Sequence, residues 1–131
     1  MIVVDNSVLA GFALPQDGYH GDAVRAFKQD ADWHAPELAR SEFRSVAAGV
    51  LRRGETLSTL LESAAVADAA ATFYRLHANE VFAVMQESPL SAYDAEYVAL
   101  ARRLGCQLVT TDKLVLDHYP SLAVRLATFV G

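Results

Sequence analysis

Residues 1–9 read MIVVDNSVL and residues 106–114 read CQLVTTDKL. Each is a short run of β-prone apolar side chains that passes directly into a carboxylate, Asp5 in the first and Asp112 in the second. Apolar residues at consecutive rather than alternate positions read as a strand buried on both faces, the pattern of parallel sheets covered by helices. In such sheets ligands lie beyond the carboxyl ends of the strands, near the point where the strand order reverses. Two strands that each end in an aspartate therefore predict one acidic crevice, provided that they are near neighbours.

The rest of the chain alternates in the same sense. SVLAGFAL (7–14) reads as a helical turn or two stopped by Pro15, and PQDGYHG (15–21) as a loop. DAVRAFKQ (22–29) reads as an amphipathic helix with Ala23, Ala26 and Phe27 inward, and DWHAP (32–36) as a brief strand. Pro36 suits the first turn of the helix that follows, which runs to about Arg53 and stops at Gly54. Residues 56–76 read as one Ala- and Leu-rich helix, and EVFAVMQ (80–86) is undecided between helix and strand. SAYDAEYVALARRLG (91–105) is the clearest helix, with Ser91 as N-cap and Gly105 beyond its end. Gln107 to Thr110 reads as a strand, and AVRLATFV (123–130) supplies one more. The expected architecture is α/β: a single domain over residues 1–131, with a central parallel sheet of about four to five strands flanked by helices.

Composition narrows the function. The chain of 131 residues carries a net charge of −5, so it lacks the cation excess that non-specific polyanion binding needs. Arg40, Arg44, Arg52, Arg53, Arg102, Arg103 and Lys113 are the candidates to offset that charge locally, although each also suits a solvated helix face. No apolar run approaches the roughly 18 residues of a membrane span. Strand-like residues begin at Ile2, which leaves little room for a leader, and the lone Cys106 excludes an internal disulfide. A cytoplasmic protein with an inert, buried thiol is expected.

Two further acids stand in unexpected places. Leu38, Glu42, Val46 and Val50 recur every four residues on one helix, and Leu90, Asp94, Val98 and Ala101 share a face of another. A carboxylate inside an apolar stripe is anomalous because burying it without a partner is costly. Asp5 in an Asx turn, Asp94 as a capping acid, Glu42 paired with an arginine and Asp112 opening a turn are the ordinary explanations. Taken jointly, four such explanations are harder to sustain than one shared pocket. Two unit charges about 4 Å apart repel by about 4 kcal/mol at an effective dielectric near 20, so four carboxylates together must bind protons or cations. An all-oxygen set suits Mg²⁺ or Mn²⁺ rather than zinc. His20, His34, His77 and His118 show no ligand spacing and read as surface or loop residues.

The order Asp5-x-Ser7, Glu42, LSAYDAEYVALARRLG (90–105) and LVTTDK (108–113) resembles the PIN domain, specifically the VapC-type toxins of toxin–antitoxin pairs. The likeness spans nearly the whole chain and is sharpest between Leu90 and Lys113. It implies a metal-dependent endoribonuclease in which Asp5, Glu42, Asp94 and Asp112 are the acidic, metal-holding quartet. Ser7 and Thr110 then match the accompanying hydroxyls, whereas Asp117 and Glu96 are expected at the surface. It also implies a homodimer held inactive by a VapB-type antitoxin, which inserts a segment, often with an arginine, into the pocket. SVLAGFAL and the Ala-rich helices are candidates for those contacts, or ordinary core. The likeness implies a third strand within residues 56–86, where none is apparent.

Three rival readings are open to the same residues. An aspartyl-phosphate phosphohydrolase also places an aspartate after its first strand, but it wants an acid two positions on, where Ser7 stands. A catalytically silent PIN-like module that binds RNA or protein has no use for four acids. A nuclease acting on DNA is not distinguished, because nothing in the chain visibly reads a 2′-hydroxyl.

Overall fold

Strand β1 (Ile2–Val4) lies directly beside β4 (Leu108–Thr110), in parallel, with Val3 opposite Leu108 and Val4 opposite Val109. The two aspartate-terminated strands are thus immediate neighbours. The structure, a computed structural model, describes residues 1–131. Three more strands complete the sheet: β2 (Trp33–Pro36), β3 (Ala71–Tyr74) and β5 (Ala123–Arg125). All pairings are parallel, and the order is β3-β2-β1-β4-β5. The chain moves outward in one direction from β1 and in the other from β4, so the strand order reverses between them. That is the switch point at which a parallel sheet opens a ligand crevice.

Eight helices surround the sheet. Helices α1 (Asn6–Ala13), α2 (His20–Gln29), α3 (Leu38–Arg52) and α4 (Leu57–Ala70) pack on one another through α1. Helix α5 (Ala78–Glu87) lies on α6 (Ala92–Leu104), which crosses β1, β2 and β4. The short α7 (Lys113–His118) and α8 (Leu126–Val130) flank β5. Thirty-three buried apolar residues form one continuous core. Phe12 stacks on Phe27 at 4.6 Å between ring centres, and both rings meet the buried Trp33 edge-on, which fastens α1 and α2 to β2.

Several expectations change. The helix read over residues 56–76 ends at Ala70, and the missing third strand is its continuation, ATFY (71–74). Ala70 and Ala71 prolong the helical composition across the junction, and only Thr72, Phe73 and Tyr74 favour a strand. EVFAVMQ belongs to α5, and the tail supplies β5 before closing in α8. Pro36 ends β2 rather than opening the next helix. The buried stripe of α3 is Ala39, Phe43, Ala47 and Val50, so Glu42 flanks the core instead of interrupting it. His34 is buried in β2, where Tyr74 Oη and Asp32 Oδ1 satisfy its two ring nitrogens at 2.7 and 2.8 Å. SVLAGFAL is mostly core, with Val8, Leu9, Ala10, Ala13 and Leu14 buried. Cys106 is only half-buried because it precedes β4 rather than lying within it.

Candidate metal centre at the switch point

Asp5 follows β1 and is the N-cap of α1, its Oδ1 accepting from the Val8 amide at 3.1 Å. The same oxygen accepts from Ser7 Oγ at 2.5 Å, and Thr110 Oγ1, from the end of β4, donates to Oδ2. Thr110 Oγ1 also accepts from the Asp112 amide at 3.0 Å, and Thr111 Oγ1 donates to Ser7 Oγ at 2.8 Å. Asp112 in turn caps α7, accepting from the Val115 amide at 3.0 Å. The two strand ends thus form one lattice of hydroxyls and carboxylates, with two helix N-termini aimed at it. Such N-termini favour negative charge, so each aspartate serves its helix as well as the pocket.

The other two acids come from α3 and α6. Ser91 caps α6 by accepting from the Asp94 amide at 3.2 Å, which sets Asp94 in the first turn. Glu42 is held by Tyr97, whose hydroxyl donates to Oε1 at 2.6 Å. Asp5, Glu42, Asp94 and Asp112 line one cavity of about 430 Å³ together with Asn6, Ser7, Tyr97, Thr110, Thr111 and Lys113. All six residues singled out in the sequence therefore meet at one place. None of the four acids forms an ion pair. The single cation on the wall, Lys113, turns to Asp117 at 2.7 Å. Asp117 accordingly stays on the surface, as expected.

Burial raises Asp5, Glu42 and Asp94, and repulsion adds to it at Glu42 and Asp94. Burial pushes the Asp5 carboxyl above its ordinary range, against the opposing bonds from Ser7 and Thr110. Burial raises Glu42 as well, with Asp94 and Asp5 adding repulsion and the Tyr97 hydroxyl opposing them. Asp94 is raised by burial and then by Asp112. Glu96, expected to face solvent, is half-buried and is raised by burial and by Glu42, because α6 is covered over more of its circumference than one stripe.

The residues fit a divalent cation held partly through water. No three Asp, Glu, His or Cys side chains stand close enough to grip an ion by direct bonds alone. An ion bound through one or two carboxylates, with water and phosphate oxygens completing its shell, matches that spacing. Asn6 Oδ1, buried on the same wall, has no hydrogen-bond partner and adds a free oxygen. Asn6, Thr111 and Tyr97 escaped the sequence reading. For Tyr97 a signal was present, since it follows Asp94 by three residues and so shares its helix face.

A PIN domain model matches residues 2–120. Ribonuclease VapC3 of Pyrobaculum aerophilum is 30% identical over 127 residues, 92% of this chain and 96% of that protein. Among solved structures, PAE2754 from Pyrobaculum aerophilum superposes with a TM-score of 0.76 at 22% identity, over 98% of this chain and 92% of that one. Mycobacterium tuberculosis VapC20, described as a Sarcin-Ricin loop cleaving toxin, follows with a TM-score of 0.67 at 18% identity, over 93% and 96% of the two chains. The match along residues 2–120, the VapC relative and the shared architecture place this chain in the PIN-domain family, among its VapC-type members.

Proposed function

We propose that this protein is a Mg²⁺- or Mn²⁺-dependent endoribonuclease, the toxin of a VapBC-type pair, and that Asp5, Glu42, Asp94 and Asp112 are its catalytic and metal-holding residues. The observation that carries the reading is four carboxylates, remote in sequence, lining one cavity at the switch point with no cation paired to any of them. RNA rather than DNA is supported by the 30% identical relative, which is named a ribonuclease.

A divalent ion bound there supplies Lewis acidity, activating the attacking water and stabilising charge on the leaving oxygen. Asp5, immobilised by three donors, is the fixed anchor of the set. Asp94 and Asp112 stand in the first turn and at the N-cap of their helices, which fixes where their carboxylates enter the pocket. Tyr97 occupies Glu42 Oε1 and leaves Oε2 to orient the water and accept its proton. The raised pKa of Glu42 suits that exchange, since a base works best with a pKa closer to the working pH. Ser7 and Thr110 lock the Asp5 rotamer.

Partners follow from the same reading. We assign the VapB-type antitoxin to the apolar groove between α3 and α4, where Leu51, Leu57 and Leu61 are exposed beside Phe43. An arginine from that partner fits the acid pocket, since a guanidinium bridges carboxylates bidentately. A homodimer in the cytoplasm completes the proposal, and no helix is long and apolar enough to cross a membrane. The test is partner-free protein incubated with structured RNA and with DNA of the same sequence, in Mn²⁺ and in EDTA. The proposal expects RNA cut only with the metal. Intact RNA in both conditions returns the chain to the silent binding module, and cleavage of DNA alone reassigns the substrate.

A further inference from the structure

A second groove, of about 250 Å³, adjoins the acid pocket and is lined by Ser41, Glu42, Ser45 and Tyr93. Glu42 belongs to both walls, so the two depressions are neighbours. Tyr93 is 67% exposed, and neither its ring nor its hydroxyl engages any other residue of the fold through an aromatic pair or a hydrogen bond. Tyr19, Phe82 and Tyr93 are the exposed aromatic residues, and only Tyr93 borders the site.

We propose that Tyr93 is the platform on which an unpaired nucleobase of the RNA stacks, beside the phosphate held at the four acids. This deepens the ribonuclease reading and rests on it. A chain of net charge −5 lacks the cation excess that favours a polyanion, and the four acids repel it until a cation intervenes. Stacking on an aromatic ring supplies affinity that needs no positive charge and is available to every base. The first turn of α6 fixes the ring's backbone through the Ser91 cap, and a tyrosine has only two side-chain torsions to order. Ser41 and Ser45 stand one turn apart on α3 and present hydroxyls across the groove. Each hydroxyl donates and accepts, so the pair serves the edge of any base or a ribose hydroxyl. A base must leave its helix to enter the groove, and Tyr93 therefore selects unpaired RNA at that nucleotide.

The experiment measures steady-state cleavage of a short RNA spanning a cut site mapped in total RNA. Wild type, Tyr93→Phe, Tyr93→Leu and Tyr93→Ala are compared, with an abasic nucleotide walked through the positions flanking the cut. The expected result is a KM raised roughly tenfold in the Leu and Ala variants, kcat and melting temperature nearly unchanged, and Phe behaving as wild type. One abasic position raises KM to a similar extent in wild type and has no further effect in Tyr93→Ala. Equal KM for all four proteins, or additive effects of abasic site and Tyr93→Ala at every position, overturns the stacking role while leaving the nuclease intact. RNA that wild type leaves uncut with Mn²⁺ overturns the ribonuclease reading itself, and this inference with it.

Discussion

The Tyr97 hydroxyl donates to Glu42 Oε1 at 2.6 Å, joining α6 to α3 across 55 positions of sequence. It is the one side-chain hydrogen bond received by any pocket acid from outside the two strand ends. A donor to a carboxylate favours its ionised form, so this bond restrains a pKa that burial and neighbouring charges push up. Tyr97→Phe is expected to move the acid limb of the pH–rate profile to higher pH and to lower cleavage near neutrality roughly tenfold. A pH–rate profile for the variant checks it, and an unmoved acid limb assigns that limb to another group.

Burial and the neighbouring charges of Asp94 and Asp5 disfavour the ionised form of Glu42 in the metal-free fold. A folded-state pKa raised above the unfolded one means that stability is present while the group is protonated and declines as pH rises through the unfolded value toward the raised one. Glu42→Gln keeps an acceptor for Tyr97 and removes a charge repelled by Asp94 and Asp5. In EDTA at neutral pH it is expected to melt roughly 2–5 °C above wild type, with the difference vanishing below the usual glutamate range. Calorimetry across pH 4–8 decides, and a variant less stable throughout would mean that Glu42 is stabilised by company other than a cation.

Thr110 Oγ1 bridges two of the acids, donating to Asp5 and accepting from the Asp112 amide. Thr110→Val keeps the shape and strands both partners in a position only 1% exposed. The expected cost is about 1–3 kcal/mol of stability, together with weaker metal binding as the Asp5 rotamer loosens. Chemical denaturation, with and without Mg²⁺, measures both.

One ion pair, Arg103 with Glu80, reports on the fold apart from chemistry. Arg103 holds the Glu80 carboxyl down to about 2, against an ordinary value of 4.5, and so ties the start of α5 to the end of α6. Its contribution is fully present above the ordinary value and is lost as the pH falls from there toward 2. Glu80→Gln is therefore expected to flatten the melting temperature over that interval and to leave cleavage near neutrality unchanged.

Cleavage by water needs no 2′-hydroxyl nucleophile, so the products are expected to carry 5′-phosphate and 3′-hydroxyl ends. Direct ligation of a 3′ adaptor without prior end repair checks this, and a cyclic phosphate on the upstream fragment contradicts it.

Much of this architecture was legible in the sequence because the deciding signals are local. Asp5 and Asp112 betray themselves by ending apolar runs, and Ser91 with Gly105 brackets α6 by standard capping chemistry. What stayed hidden depends on neighbours that the sequence does not name. Strand β3 is an edge strand of four residues whose first alanine continues a helix-forming run, so tertiary pairing with β2 overrides the local preference. The α3 stripe shifted by one position because α1 and α4 cover the face bearing Ala39, Phe43 and Ala47, leaving Glu42 at its margin. Tyr97 and Asn6 carry polar atoms whose role appears only when another segment arrives beside them.

The central claim is that these acids assemble around a divalent cation, and binding of Mn²⁺ to metal-stripped protein tests it most directly. At a free metal concentration ten times Kd, the account predicts about 1.4 kcal/mol of added stability for wild type. Electron paramagnetic resonance should show bound Mn²⁺ in wild type and affinity reduced at least roughly tenfold in Asp5→Asn and Asp94→Asn. Equal Mn²⁺ affinity in wild type and both variants would contradict it.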